Sequence, residues 1–321
     1  MTSADDTPPA PSSTLVRDGT WLIAIAAALW GTDALFRLPL TEVLSAPTIV
    51  LAEHAVLVAL TLPWLPRAVS AARRTCRARE WVALVLIGVG ASATATILFT
   101  LAFEYGGPVT PVALQKMQPL FAAGAACLLL RERLRPRYAA FLAVALASAW
   151  LLSFADPFQV TVTGVLAALL ALGAAALWAG GTVAGRLVSH RLDYTSITVL
   201  RFAFGLPAAL VIALVLRERL VPPASDVPAL VALSLVPGLA ALMLYYRGLR
   251  STPASRATVA ELAFPATAAF VGVAVLGAPL TATQWAGLLL LVVTVAGFAG
   301  HERRSRRPAV VDRTERVAEP V

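Results

Sequence analysis

Long apolar runs alternate with short polar connections along this chain, and each run approaches the roughly 20 residues that a helix needs to cross a bilayer. The pattern predicts ten helices, at 21–38, 47–65, 81–103, 109–130, 138–154, 162–185, 196–216, 227–246, 257–276 and 282–300. Short connections make sequence neighbours antiparallel. Residues 1–20 are polar and rich in Pro and Ser, and read as a disordered tail; residues 301–321 start with Arg303, Arg304, Arg306 and Arg307 and read as a second, basic tail. The expected fold class is therefore an all-α integral membrane protein.

Polar residues inside the apolar runs say more than the runs do. Residues 113–121, ALQKMQPLF, place Gln115, Lys116 and Gln118 before Pro119, and Lys116 is the chain's single lysine. An ionisable group there must face protein or a watery cavity, because lipid cannot solvate it. Pro119 removes a backbone donor and disturbs the helix locally. Residues 258–266, TVAELAFPA, echo the stretch with Glu261 and Pro265. Without gaps, Pro119 aligns with Pro265, Gln115 with Glu261 and Glu104 with Arg250, while Trp30 stands from Glu53 as Trp178 stands from Arg201. Matching proline and polar positions outweigh the general likeness of apolar helices, so two five-helix repeats are expected, 21–154 and 155–300. Five is odd, so tandem halves insert in opposite senses: ten transmembrane helices as two inverted five-helix repeats, a design in which transporters hold solute near the midplane.

Composition agrees. The chain is 59% hydrophobic and 14% charged, against about 25% charged in soluble domains. Its net charge of +8 is not a nucleic-acid footprint. The arginines cluster between helices 2 and 3, 4 and 5, 6 and 7, and 8 and 9, which puts those connections and both termini in the cytoplasm by the positive-inside rule. The expected location is the plasma (inner) membrane. Cys76 and Cys127 suggest neither a disulfide nor a metal site, and no cofactor or metal is expected.

The order of Trp30-Gly31, Arg201-Phe202, the helix-4 and helix-9 prolines and Arg131-Glu132-Arg133-Leu134 resembles the EamA-like family of the drug/metabolite transporter superfamily, over about residues 21–300. The chain departs from that pattern at Glu53-His54 and at Ala278-Pro279. The resemblance implies ten helices and movement of small solutes across the membrane, without choosing the solute.

Trp30, Asp33 and Arg37 share one helical face, with Asp33 and Arg37 at i, i+4. Asp33 is a candidate for a cation or proton, or else forms a local ion pair whose arginine snorkels to the outer end. Glu53 aligns with Arg201, so pseudo-twofold symmetry predicts an ion pair between the halves. His54 is a candidate proton relay or a hydrogen-bonded interface residue. Lys116 offers a compact charge for a carboxylate or phosphate, or a partner for Glu261 or Glu53. The substrate-binding candidates are thus Trp30, Gln115, Lys116, Gln118, Trp178 and Arg201, and the coupling candidates are Asp33, Glu53, His54 and Glu261. Balanced intramembrane charge favours a zwitterionic or polar solute over a strongly charged one. Gly88, Gly90, Gly180, Gly181, Gly287 and Gly297 are expected at close helix contacts.

The leading expectation is a secondary active transporter for a small polar metabolite or drug, working by alternating access and coupled to a proton or sodium gradient. The chain is not expected to be an enzyme. An uncoupled lipid or metabolite translocator and a membrane enzyme on lipid-linked substrates are the alternatives. The enzyme lacks an HExxH or GxSxG motif, and no GxxxxGK[ST] loop supports an ATPase. The expected partners are a small solute and the bilayer, with no nucleic acid and a homodimer left open.

Overall fold

A computed structural model describes residues 19–106, 109–118, 120–121, 124, 136–154, 156–159, 161–249, 260 and 263–306. Lipid offers backbone N–H and C=O groups no partners, so the apolar runs satisfy them internally as helices. Among the described residues there is no strand. Among the described residues, six helices are long and apolar enough to span: Thr20–Thr41 (α1), Ala46–Thr75 (α2), Ala78–Tyr105 (α3), Val162–Ser189 (α6), Tyr194–Val215 (α7) and Ala224–Tyr245 (α8). Between α3 and α6 lie Val109–Leu114 (α4), which tightens into a 3-10 turn at Gln115–Met117, and Pro136–Ser153 (α5). Ala263–Phe270 (α9) and Ala282–Arg306 (α10) follow α8. The protein is a multi-pass membrane protein.

Local chemistry explains the helix starts. Asp193 accepts from the backbone N–H of Thr195 and Ser196 at 3.1 and 3.2 Å and from the Ser196 hydroxyl at 2.6 Å, capping α7. Burial works against ionisation of this carboxyl, but the Ser196 and Thr195 hydrogen bonds prevail and hold it below the usual aspartate range. Thr161 Oγ1 accepts from the Gly164 N–H and caps α6.

Two sequence expectations need correction. The connection after the helix-2 run is not an open loop: beyond a 3-10 turn at Leu62–Trp64 a further helical segment, Leu65–Thr75, follows, so Arg67, Arg73 and Arg74 stand on a helical surface. The reason is amphipathic: Ala68 and Ala72 are buried against Leu84, Ile87 and Val188, while the arginines face outward. The helix-1 run is also not one smooth helix. It breaks at Thr32, whose hydroxyl donates to the Leu29 carbonyl at 2.7 Å, and restarts at Asp33. The restart places the Asp33 carboxylate where the exposed N–H groups of a helix favour negative charge.

The repeat shows in irregularities and in packing. Widened π-helical turns occur at Ile87–Thr94 in α3 and at Ser234–Ala240 in α8. The offset of 146 that lays Pro119 on Pro265 also lays Thr94 on Ala240. In the packing, α1 lies against α8 and α9, while its repeat counterpart α6 lies against α3 and α4. Counterparts also pair directly, α2 with α7 and α5 with α10. This is the pattern that a pseudo-twofold axis produces. Small residues permit the approach at some expected positions. A Cβ on Gly88 would collide with Phe204, and one on Gly287 would lie 2.9 Å from Leu151, whereas one on Gly180 would meet nothing within 4 Å among the described residues.

Candidate functional site

A buried charged cluster is built from three helices, within about two turns of the ends that meet around the α1–α2 connection. Asp33 and Arg37 come from the second segment of α1, Glu53 from α2, and Thr100 from α3. Arg37 donates to Asp33 through Nε at 2.6 Å and through Nη2 at 2.9 Å. Its Nη1 donates to Thr100 Oγ1 at 2.8 Å. Glu53 is held more loosely: Oε2 stands 3.4 Å from both Nη1 and Nη2. Arg37 is 2% exposed, Glu53 7% and Asp33 9%, so these charges depend on one another and not on water. Two carboxylates therefore share one guanidinium.

The expected Asp33–Arg37 pair is present, the expected snorkelling of Arg37 is not, and the Glu53–Arg201 pair, expected in at least one state, is absent from this one. Arg37 does not snorkel, because Asp33, Glu53 and Thr100 together occupy its fork inside the bundle. Glu53 does not form the predicted ion pair with Arg201. Its partner is Arg37, and Arg201 Nε donates to Ser92 Oγ at 3.2 Å while Nη2 donates to the Ala91 carbonyl at 3.1 Å. The widened turn of α3 carries both acceptors, which draws the guanidinium toward α3.

His54 belongs to this second network. Its Nδ1 lies 2.8 Å from the Val50 carbonyl. A carbonyl can only accept, so Nδ1 bears the hydrogen and Nε2 of the neutral ring is an acceptor. Nε2 lies 3.0 Å from Ser92 Oγ. Ser92 thus donates to His54 and accepts from Arg201, linking α2, α3 and α7 through one hydroxyl. Gly205 leaves room for the ring, since a Cβ there would lie 2.6 Å from His54 Cδ2 and Nε2.

Aromatic rings border the charges. Trp30 packs on Tyr245 with centroids 5.0 Å apart, and Trp178 packs on Phe99 at 5.2 Å. The Arg37 guanidinium carbon lies 5.8 Å from the Phe99 centroid. Lys116 Nζ lies 4.1 Å from the Phe264 centroid, a cation–π contact that joins α4 to α9 as the sequence echo suggested. Gln118 Nε2 donates to Thr182 Oγ1 of α6 at 3.1 Å, and Gln115 is half-buried in the 3-10 turn. Trp30, Trp178 and Lys116 thus fall within one aromatic and cationic region beside the Asp33–Arg37–Glu53 cluster. A separate groove lined by Leu51, Val56, Leu220, Val221 and Val231 shares no residue with it. Glu261, Thr258, Pro119, Cys127, Arg250 and the Arg131-Glu132-Arg133-Leu134 motif lie outside the described residues.

Sequence reasoning passed over Ser92, Thr100, Phe99 and Phe264. Ser92 and Thr100 did carry a signal, because hydroxyls in apolar spans serve to bridge helices. The two phenylalanines carried none, since nothing distinguishes a ring beside a cation from a ring beside lipid.

Comparison with known proteins gives the fold a family. The model of the EamA-like transporter family matches residues 18–154 and again residues 165–299. The chain is 28% identical to the riboflavin transporter ImpX of Fusobacterium nucleatum, over 86% of this chain and 96% of that protein. It is 27% identical to the uncharacterized transporter YwfM of Bacillus subtilis, over 88% and 94%. A solved crystal structure superposes with a TM-score of 0.59 at 23% identity, over 90% of this chain and 99% of its own, and so supports the fold alone. With its two matched repeats, the chain belongs to the EamA-like transporter family.

Proposed function

We propose that this protein is a secondary active transporter for a small polar solute with a flat aromatic portion, coupled to an ion gradient. The observation that carries the reading is the buried cluster of Asp33, Arg37 and Glu53, with Arg201, Ser92 and His54 beside it, where helices of the two repeats meet. Ionisable groups are kept at such depth for function more often than for stability. Trp30, Phe99, Trp178 and Tyr245 offer ring faces, and Lys116 and Arg201 offer donors, for a polar heteroaromatic molecule. The relative named as a riboflavin transporter fits that chemistry, so riboflavin heads the solutes to try.

In this reading all ten helices cross the membrane as two inverted five-helix halves, 21–154 and 155–300. Both termini lie in the cytoplasm with the arginine-rich connections, and the halves rock about the buried cluster. Of the three π-helical turns among the described residues, at Ile87–Thr94, Ser234–Ala240 and Val271–Val275, the two at equivalent places in α3 and α8 are where the backbone gives. Glu261 stays a coupling candidate, aligned with Gln115.

Alternating access is tested by counterflow. Proteoliposomes preloaded with riboflavin, and in parallel with a panel of aromatic and zwitterionic metabolites, receive a trace of the same labelled compound outside. A transient overshoot of label is the expected result for one of them. Entry that merely equilibrates, without acceleration by the loaded solute, would identify a pore or an uncoupled translocator.

A further inference from the structure

We infer that Glu53 is the proton-binding group of this transporter, taking one proton on its free carboxylate oxygen, while Asp33 remains ionised on Arg37. The inference rests on the coupled-transport reading and gives the coupling ion and its seat. One guanidinium faces two carboxylates, and it divides its hydrogen bonds unequally. Asp33 has the contacts at 2.6 and 2.9 Å, one to each oxygen. Glu53 has only the 3.4 Å contacts, both to Oε2. Among the described residues, nothing donates to Glu53 Oε1, although the residue is 7% exposed.

The groups that face Glu53 leave it short of close contacts. From α1 come Asp33 and Arg37, and these form a neutral pair. From α3 comes Thr100, whose hydroxyl already donates to the Thr96 carbonyl at 2.8 Å. From α7 comes Arg201, with hydrogen bonds to Ser92 and Ala91. On α2 itself, His54 is tied at both ring nitrogens. From α8 no charged side chain enters between Val227 and Tyr246. The hydrogen-bonded triad of Asp33, Arg37 and Glu53 thus carries one negative charge in excess, which Arg201 offsets only at longer range because its hydrogen bonds go to Ser92 and Ala91, and a buried charge without a full partner is what binding a cation relieves.

A proton fits that excess better than a metal ion does. Sodium-like cations need several oxygens arranged around them. At Glu53 the neighbours of Oε2 are the positive nitrogens of Arg37, and no group of three or more acidic, histidine or cysteine side chains surrounds an ion among the described residues. A proton needs one lone pair. It passes from a hydronium ion, whose O–H bond breaks, to Oε1, where a new O–H bond forms, and it leaves the triad neutral and a water released. When the halves open to the opposite side, water takes the proton back. His54 is set aside as the carrier. A proton on Nε2 would require the Ser92 hydroxyl to stop donating to the ring and accept from it, while still accepting from Arg201.

The test reads protonation without a solute. The full chain in liposomes is titrated from about pH 9 to about pH 5, the range over which a buried carboxyl exchanges its proton, and infrared difference spectra record the carboxylic acid C=O band. The wild type is expected to show the band of a buried protonated carboxyl; Glu53→Gln, an isostere of the protonated state, is expected to lose it, Glu53→Asp to keep it at a shifted frequency, and Asp33→Asn, which frees Arg37 for Glu53, to move its midpoint to lower pH. A band that survives in Glu53→Gln, or keeps its frequency in Glu53→Asp, or is absent from the wild type would overturn the assignment. Absence of the band with gradient-driven transport intact would fault Glu53 alone; a Glu53 band in a protein that moves no solute would fault the transport reading.

Discussion

Replacing Arg37 with Met should cost about 3–5 kcal/mol of stability, the usual effect of removing one member of a buried ion cluster. The volume change is small, so packing is not the cause. Asp33 loses its fork-like partner, Glu53 loses its one close cation contact among the described residues, and Thr100 loses the donor that faces it. Two adjacent carboxylates then remain in a site that excludes water. The loss should appear as a much lower midpoint in thermal unfolding of the detergent-solubilised protein. Adding Asp33→Asn and Glu53→Gln to Arg37→Met removes both orphaned charges, and most of the midpoint should return. If the single variant unfolds like the wild type, the cluster is not a buried charge network and the site is misplaced.

Gly88→Ala should be the second most damaging small change. The new Cβ would collide with Phe204 Cβ and lie 3.0 Å from the Arg201 carbonyl and 3.1 Å from the Gly205 nitrogen. Two of these obstacles are backbone atoms of α7, so relief requires α3 and α7 to separate, at a typical overpacking cost of about 1–3 kcal/mol. Separation also lengthens the Arg201–Ser92 hydrogen bond and with it the link to His54. Gly180→Ala supplies the control. That site is open within 4 Å among the described residues, so alanine should be neutral or slightly stabilising by its better helix propensity. Equal thermal midpoints for the two alanine variants would contradict the packing described for α3 and α7.

The sequence made the helices legible because lipid enforces them: the run of apolar residues decides where backbone bonding must be internal. It also made the repeat legible, through Pro119 and Pro265 and the Trp30 and Trp178 spacings. What it concealed was which charges meet. Asp33 and Arg37 were readable as neighbours because four residues on one helix fix their distance. Glu53 with Arg201 was inferred from symmetry, and symmetry fails here because the halves differ in their side chains. Arg37 has no arginine counterpart in α6 to compete for, and the widened turn of α3 supplies acceptors that pull Arg201 away. No spacing rule announces a π-helical turn, although Gly88 and Gly90 mark the place where one formed. Arg67, Arg73 and Arg74 show the same limit at a helix end. Charge suggested a loop there, while the buried alanines between them kept the chain helical.

The central claim is that an ion gradient drives solute through this protein. Its most direct measurement is solute accumulation in proteoliposomes under an imposed pH gradient, with a sodium gradient as the parallel arm. The solute is the one that shows counterflow. The account predicts accumulation above the outside concentration under the pH gradient, abolished by a protonophore and absent under sodium alone. Accumulation that merely reaches the outside concentration, and is indifferent to both gradients and to the protonophore, would contradict it.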